Sequence, residues 1–404
     1  MKKTYLLIAV LAILSFLIIS TKKSYNLVLI SIDSLRPDNV KADSQSINKL
    51  SESSTVFKNA YTIYPNSVGS YYTLLTGNNY LVNNELSTLK FIEKFDGSKN
   101  KDYVNLTSRL KKNGYLTTAF VANQKLNKDI FKYGFDEFKG DLNNETVSKN
   151  AVEKIKANSG KNFFLWAGFK IPDAVNINEK KRLFSCIKQS YPEDMTRIPV
   201  SYSISIRQLD VAVGAVISAL KETGADKNTV VVIYSDKGEN FDQKFYGLGK
   251  TLYNSDVRSV LIIKDPLQKS SQTISEAIDN SKMSDLILSR LENSKTMKKV
   301  DEFVNSGLTF FRISYGRNLK VGVSDNESKF IYNLTTDGCL PERDASEFYD
   351  LVKDPGEKKN LISDPTKQKK ISEMKDALSK QTMVPIKNPG EKIDVIDRLK
   401  SLGY

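Results

Sequence analysis

The sequence predicts an α/β protein: a mainly parallel central sheet covered by helices on both faces, then a small α+β C-terminal subdomain containing an antiparallel sheet. Three patterns predict it. Apolar, β-branched runs end abruptly in an acid, as in Asn26–Asp33 (NLVLISID) and Thr229–Asp236 (TVVVIYSD). Such runs belong to strands buried on both faces that empty at one rim of a sheet. They alternate with helix-period segments as far as residue 263, the order of a parallel sheet. Beyond residue 308, short strands follow one another closely with turns between them.

Element by element, Asn26–Ile32 is a core strand ending at Asp33, and Ser46–Ser51 a helix followed by a short strand at Val56 and Phe57. Ser70–Leu75 starts a helix opened by a polar turn. Val104–Asn113 is amphipathic and stops at Gly114, a usual C-terminal glycine. Leu116–Val121 and the NFFLWAGF run within Lys161–Phe169 are strands, and Ser203–Thr223 is a long helix stopped by Gly224. Strands follow at Val230–Tyr234 and Val257–Ile263. In the tail, Leu308–Ile313, Lys320–Val323 and Lys329–Leu334 are strands, and a lysine-rich helix lies around Lys367–Leu378. The expected division is a targeting segment at 1–23, an α/β domain at 24–275 and a subdomain at 276–404.

The chain has 404 residues, no histidine and a formal charge of +13. Its basic residues are scattered and form no nucleic-acid module, so nucleic acid is not an expected partner. The charge fits either a solvated lysine-rich surface or attraction for anionic esters and lipid headgroups. Lys2 and Lys3 precede the apolar run Tyr5–Ile19, as in a signal peptide or an uncleaved signal-anchor. No small-x-small cleavage site follows, and no cysteine there could carry a lipid. The expectation is export: the chain is anchored in a membrane, facing the periplasm or cell exterior, or is secreted. Cys186 and Cys339 are far apart in sequence and imply neither a disulfide nor a zinc site.

Six segments, in order, resemble the sulfatase family of alkaline-phosphatase-like metallohydrolases. Asn26–Asp38 is similar to its opening strand–Asp–x–Leu–Arg–x–Asp, and Asn48–Thr62 to its second strand. Ser67–Gly77 resembles the nucleophile turn and helix. Thr229–Glu239 resembles the strand ending Ser-Asp-His-Gly-Glu, and Tyr246–Tyr253 with Arg258–Ile263 the segment after it. Glu347–Leu361 resembles the tail motif, Asp354-Pro355-Gly356-Glu357 included.

The resemblance implies one divalent cation, calcium rather than magnesium, on hard oxygen ligands, with Asp33 and Asp236 at two ligand positions. The plain alternative for each acid is a cap or surface role. Ser34 stands where many relatives have a second Asp. Ser67 falls at the nucleophile position, where the family oxidises Cys or Ser to formylglycine. That motif needs Pro two places on and Arg four places on; here they are Gly69 and Tyr71, so formylglycine is not expected. A plain Ser67 hydroxyl could attack phosphorus, or it could simply cap the helix.

The family's histidines are all replaced. Lys237 follows Asp236, and a protonated lysine has three donors and no lone pair for a metal. If it lies between Asp33 and Asp236, its ammonium stands in for the cation; otherwise it reaches solvent. Lys125 and Asn123 occupy the family's Lys-x-His element, Gly168 and Asp173 flank Pro172 in another, and Lys244 and Leu248 fill two more. Lys125 and Lys250 are candidates for binding an anionic substrate. Tyr61, Tyr64, Tyr71 and Tyr72 line a sugar or aryl pocket or simply pack. Glu239 and Asp242 are expected to solvate the loop. Three functions stay open: an ester hydrolase or transferase acting on sulfate or phosphate esters through Ser67; a non-catalytic member binding an anionic glycan or lipid headgroup; and a structural envelope protein.

Overall fold

The computed structural model describes residues 25–78, 92–100, 102–158, 160–171, 198–241, 251–291, 302–304, 307–315, 318–333 and 346–382. The N-terminal apolar run, both cysteines, Asp173, Asp242, Lys244, Leu248 and Lys250 lie outside these residues.

The chain begins with strand β1 (Asn26–Asp33), helices α1 (Pro37–Asp43) and α2 (Gln45–Ser51), strand β2 (Thr55–Tyr61) and helix α3 (Ser67–Thr76). Helix α4 (Leu106–Lys112), strands β3 (Leu116–Val121) and β4 (Glu137–Lys139), helix α5 (Asn144–Ala157) and strand β5 (Phe163–Lys170) follow. Next come helix α6 (Ile198–Glu222), strand β6 (Thr229–Tyr234) and the short helix α7 (Asn254–Val257). Strands β7 (Arg258–Ser259), β8 (Leu261–Lys264) and β9 (Gln272–Asp279) and helix α8 (Met283–Leu291) complete the first layer system. These nine strands form one sheet in the order β4-β3-β5-β1-β6-β8-β2-β7, with β9 paired to β2.

β1 is central and parallel to both neighbours, β5 and β6. Its eight residues are all buried, which is why it reads as a continuous apolar run rather than an alternation. Successive side chains leave opposite faces. Leu27 and Leu29 join the core beneath α3 and α8, while Val28, Ile30 and Ile32 join the core beneath α2, α5 and α6. α6 is apolar enough to resemble a membrane span, yet Tyr202, Ile206, Leu209, Val213, Val216 and Leu220 recur at helical spacing and are buried on the sheet.

Three features depart from the sequence reading. The strand expected at Val257–Ile263 is two, β7 and β8, both antiparallel to β2. Between them Val260 leaves the ladder to bond Ser235: its N–H donates to Ser235 Oγ at 2.6 Å, and its carbonyl accepts from Ser235 N at 3.0 Å. The expected division at residue 275 falls inside β9, and α8 beyond it packs on α3. Helix α5 was not foreseen because it is mostly polar; only Val147, Ala151 and Ile155, four residues apart, mark its buried face.

Strands β10 (Thr309–Tyr315), β11 (Asn318–Ser324), β12 (Ser328–Asn333) and β13 (Ser346–Asp350) form the antiparallel C-terminal sheet, covered by helix α9 (Gln368–Thr382). Its other face packs Phe311, Ile313, Ile331 and Tyr349 against Tyr61, Leu252 and Tyr253. Lys329, 0% exposed, crosses this junction. It donates to the Leu252 carbonyl at 3.0 Å and Asn254 Oδ1 at 2.7 Å, and pairs with Glu357 at 2.8 Å. Removing one member of a buried pair strands the other charge, at a cost of about 3–5 kcal/mol. Lys329→Met is therefore expected to lower the urea-unfolding free energy by about 3 kcal/mol or more, and Lys329→Met/Glu357→Met to recover most of it. Equal losses in the single and double variants would show that the pair does not tie the two parts together.

Candidate active site

The site grows out of strand register. β1 and β6 pair up to Ser31↔Tyr234, so two residues later Asp33 and Asp236 come level. On the other side Asp33 pairs with Lys170 of β5, and Val121 of β3 pairs with Gly168. Asn123, two residues beyond Val121, is thereby level with the same row. Four adjacent strands thus deliver Asn123, Lys170, Asp33 and Asp236 to one rim, in steps of about 4.8 Å. Gly168 is needed there, because a Cβ would lie 2.8 Å from Val121 Cγ1.

Helix α3 closes the rim from one side. Asn66 caps it by accepting from Gly69 N at 2.8 Å. Tyr64 packs on Gly69 so closely that a Cβ would lie 2.3 Å from its ring. Ser67 and Tyr71, four apart, share one helix face. Tyr71 Oη donates to Asp33 Oδ1 at 2.6 Å, and Ser70 Oγ bonds Tyr234 Oη at 2.7 Å. The first turn, with buried Ser67, is therefore pinned over the ends of β1 and β6.

Asp33 and Asp236 are 4% and 0% exposed, and a buried carboxylate must find partners. Asp33 Oδ2 accepts from Asn123 Nδ2, whose own Oδ1 is held by Lys125 N at 2.9 Å. Asp236 Oδ1 accepts from Ser34 N at 2.8 Å; its Oδ2 is buried without a hydrogen-bond partner. Ser34 reaches this position in the left-handed region, φ 65°, which is costly for a non-glycine residue. Tyr202 of α6 holds it there: its hydroxyl donates to the Ser34 carbonyl at 2.5 Å and accepts from Arg36 N at 2.9 Å.

Lys237 turns inward. Its Nζ donates to Ser34 Oγ and to the Gly238 carbonyl at 3.3 Å, and lies 3.8 Å from Glu239 Oε2. Its ion pair is with Glu239, and its field also reaches Asp236 and Asp33. The expectation for Glu239 is corrected: it is only 7% exposed rather than solvating a loop. Burial alone would depress Lys237, but Glu239, then Asp236, Asp256 and Asp33, hold its pKa above the usual value. The lysine is an ammonium.

Burial, then the neighbouring Asp236, pushes Asp33 up to about 7. Burial also pushes Asp256, whose Oδ2 is bonded by Thr251, up to about 7. Of the other sequence candidates, Lys125 is exposed in the 3-10 turn Gln124–Leu126, which packs against α3. Tyr61, Tyr64, Tyr71 and Tyr72 are all buried. Sequence reasoning missed Tyr202, Asp256 and the donor roles of Tyr71 and Asn123. For Tyr71 the signal was present in its spacing of four from Ser67.

A divalent cation fits this donor set poorly. Calcium needs six to eight oxygens and magnesium a near-ideal octahedron. Both oxygens of Asp33 already accept from neutral donors, Ser34 replaces an acid, and an ammonium occupies the turn. Among the described residues no group of three or more His, Cys, Asp or Glu is placed to hold a metal ion.

A mostly parallel sheet thus carries two acids at the ends of adjacent strands, beneath a helix bearing a serine. The sulfatase family model matches residues 25–292, and the chain belongs to that family. No curated protein matches it in sequence. Among solved structures it is similar to yidJ of Bacteroides fragilis, assigned as a sulfatase, at 18% identity and TM-score 0.70, covering 91% of this chain and 99% of that one. It is also similar to a structure of a protein with its substrate D-glucosamine-2-N,6-O-disulfate, at 14% identity and TM-score 0.66, covering 89% and 98%. The phosphonate monoester hydrolase of Agrobacterium radiobacter matches at 15% and TM-score 0.66, covering 89% and 95%. At such identities the likeness establishes the fold alone. Relatives in this family generally use a divalent metal.

Asp33 and Asp256 bind their protons more tightly folded than unfolded, where carboxylates titrate near 3.8. These two acids take up protons on folding between about pH 4 and 7, so their contribution to stability is fully present below that window and is lost as pH rises through it. The chain has no histidine to mask the effect. Melting temperature is expected to fall from pH 5 to pH 8, with a shallower slope in Asp256→Asn. A melting temperature that rises over this range would contradict the burial of these acids.

Proposed function

We propose that this sulfatase-family chain is an exported, membrane-tethered protein that binds an anionic ester group without hydrolysing it. Its ligand is a sulfate or phosphate on a glycan or lipid headgroup. One observation carries this reading: the residues that depart from the family's pattern are turned inward to satisfy the two acids. Tyr71 and Asn123 bond Asp33, and Lys237 bonds Ser34, whose amide bonds Asp236.

Among the described residues, Lys237 stays protonated and can take no proton from Ser67, and both oxygens of Asp33 are engaged by Tyr71 and Asn123. Nor does an imidazole protonate the leaving oxygen. Binding needs less. The N-terminus of the ten-residue helix α3, with Ser67 in its first turn and exposed Lys125 beside it, favours an anion. The basic charge of the chain acts in the same direction.

One observation favours the catalytic reading instead. Asp236 Oδ2 is buried without a partner, which leaves one carboxylate oxygen available. The same experiment separates the two. Wild-type protein and Ser67→Ala are assayed on 4-nitrophenyl sulfate and 4-nitrophenyl phosphate with and without calcium, while binding of a sulfated oligosaccharide is followed by calorimetry. Turnover is expected to be indistinguishable from buffer in both proteins, and Lys125→Ala to weaken binding about threefold. Calcium-stimulated turnover that vanishes in Ser67→Ala would overturn the non-catalytic reading in favour of the hydrolase.

A further inference from the structure

Away from the acid rim, the chain forms a cavity of about 530 Å³ where the α1 start, the α7 segment and the Pro355–Lys358 turn meet. Asp33, Ser67, Asp236 and Lys237 do not line it. That volume is in the range of small-molecule sites. Its charges are unevenly matched. Asp38 is held by Arg36 through bonds of 3.0 and 2.6 Å, and Glu357 by Lys329 at 2.8 Å. Both acids of the lining are therefore already neutralised from within the protein.

Two further cations in the lining are less closely matched, Arg258 only through the field of Asp38, which Arg36 already holds. Among the described residues Arg258 makes one hydrogen bond, from Nη2 to the Lys58 carbonyl at 2.5 Å, and its Nε finds no acceptor there. Lys358 is exposed at the mouth. Among the described residues neither has a carboxylate within ion-pair distance. A guanidinium and an ammonium facing one cavity, with every acid there already paired, attract a compact anion.

We infer that this cleft is a second binding site, for an oxoanion monoester: a sulfate or phosphate group on a small polyol or sugar. The bound group displaces no existing ion pair; it adds counter-charge to Lys358 and to Arg258, which otherwise shares the field of Asp38 with Arg36. The walls come from the main sheet's α7–β7 segment and from the tail turn after β13, so an occupant bridges the two parts of the molecule. Binding here is expected to raise the melting temperature, since a ligand for the folded state stabilises it by mass action.

The test uses full-length protein and inorganic probes. Crystals soaked in tungstate are expected to show anomalous density beside Arg258 and Lys358. In thermal-shift titrations with inorganic phosphate, Arg258→Gln is expected to raise the half-saturating concentration about tenfold and Lys358→Glu about as much. The part of the response lost in Arg258→Gln is expected to be lost equally in a Ser67→Ala or Lys125→Ala background, which separates this cleft from the acid rim. Lys358 is exposed, so its variant keeps the test informative if Arg258→Gln fails to fold. Glycerol 3-phosphate and glucose 6-sulfate identify the source: dependence of either one on Arg258 and Lys358 supports the site and names its class. Tungstate found elsewhere, or responses that ignore both substitutions, overturns the inference.

Discussion

Two carboxylates buried side by side at the ends of neighbouring parallel strands are the constraint on which the rest of this site depends. Register makes Asp33 and Asp236 level, and neither can retreat to solvent. At a strand spacing near 5 Å and an effective dielectric of 20, two such charges repel by about 3 kcal/mol. The fold answers with hydrogen-bond donors. Tyr71 and Asn123 satisfy Asp33, the Ser34 amide satisfies one oxygen of Asp236, and the field of Lys237 covers both. The remaining repulsion appears as a proton held by Asp33 near neutral pH.

The departures from the family's pattern are physically interlocked. Tyr71 can reach Asp33 only because α3 lies close over the sheet, and α3 can lie there because Gly69 leaves room for Tyr64. Lys237 can turn inward only because Gly238 clears the Ser255 carbonyl, where a Cβ would come within 2.0 Å. Gly168, at another of the histidine-rich stretches of the family, is packed against Val121 and leaves no space for a side chain. Restoring a histidine at Gly168 would therefore meet the Val121 side chain. The set behaves as one network, where pairwise deletions do not add.

Much of this was legible in the sequence, and the rest was not for identifiable reasons. β1 and β6 announce themselves through β-branched runs that stop at an acid, and parallel register then aligns Asp33 with Asp236. Helix α5 hid behind a polar composition, and the split between β7 and β8 depends on Ser235, a side-chain contact that periodicity cannot carry. The pairing of Lys237 with Glu239 was not legible, because it follows from the left-handed turn at Ser34 and from the burial of Glu239, neither of which leaves a local signature. Arg36 explains that burial: it donates to the Glu239 carbonyl and stacks over Phe241 at 4.6 Å.

Whether an ammonium has taken over the cation's task is decided most directly by calcium itself. Melting temperatures of wild type and Lys237→Ala would be compared in chelator and in millimolar calcium. The account predicts that wild type is indifferent to both conditions, while Lys237→Ala is destabilised and partly rescued by calcium. A wild-type protein that chelator destabilises by several degrees, with calcium on Asp33 and Asp236 and Lys237 turned away in a soaked crystal, would contradict it.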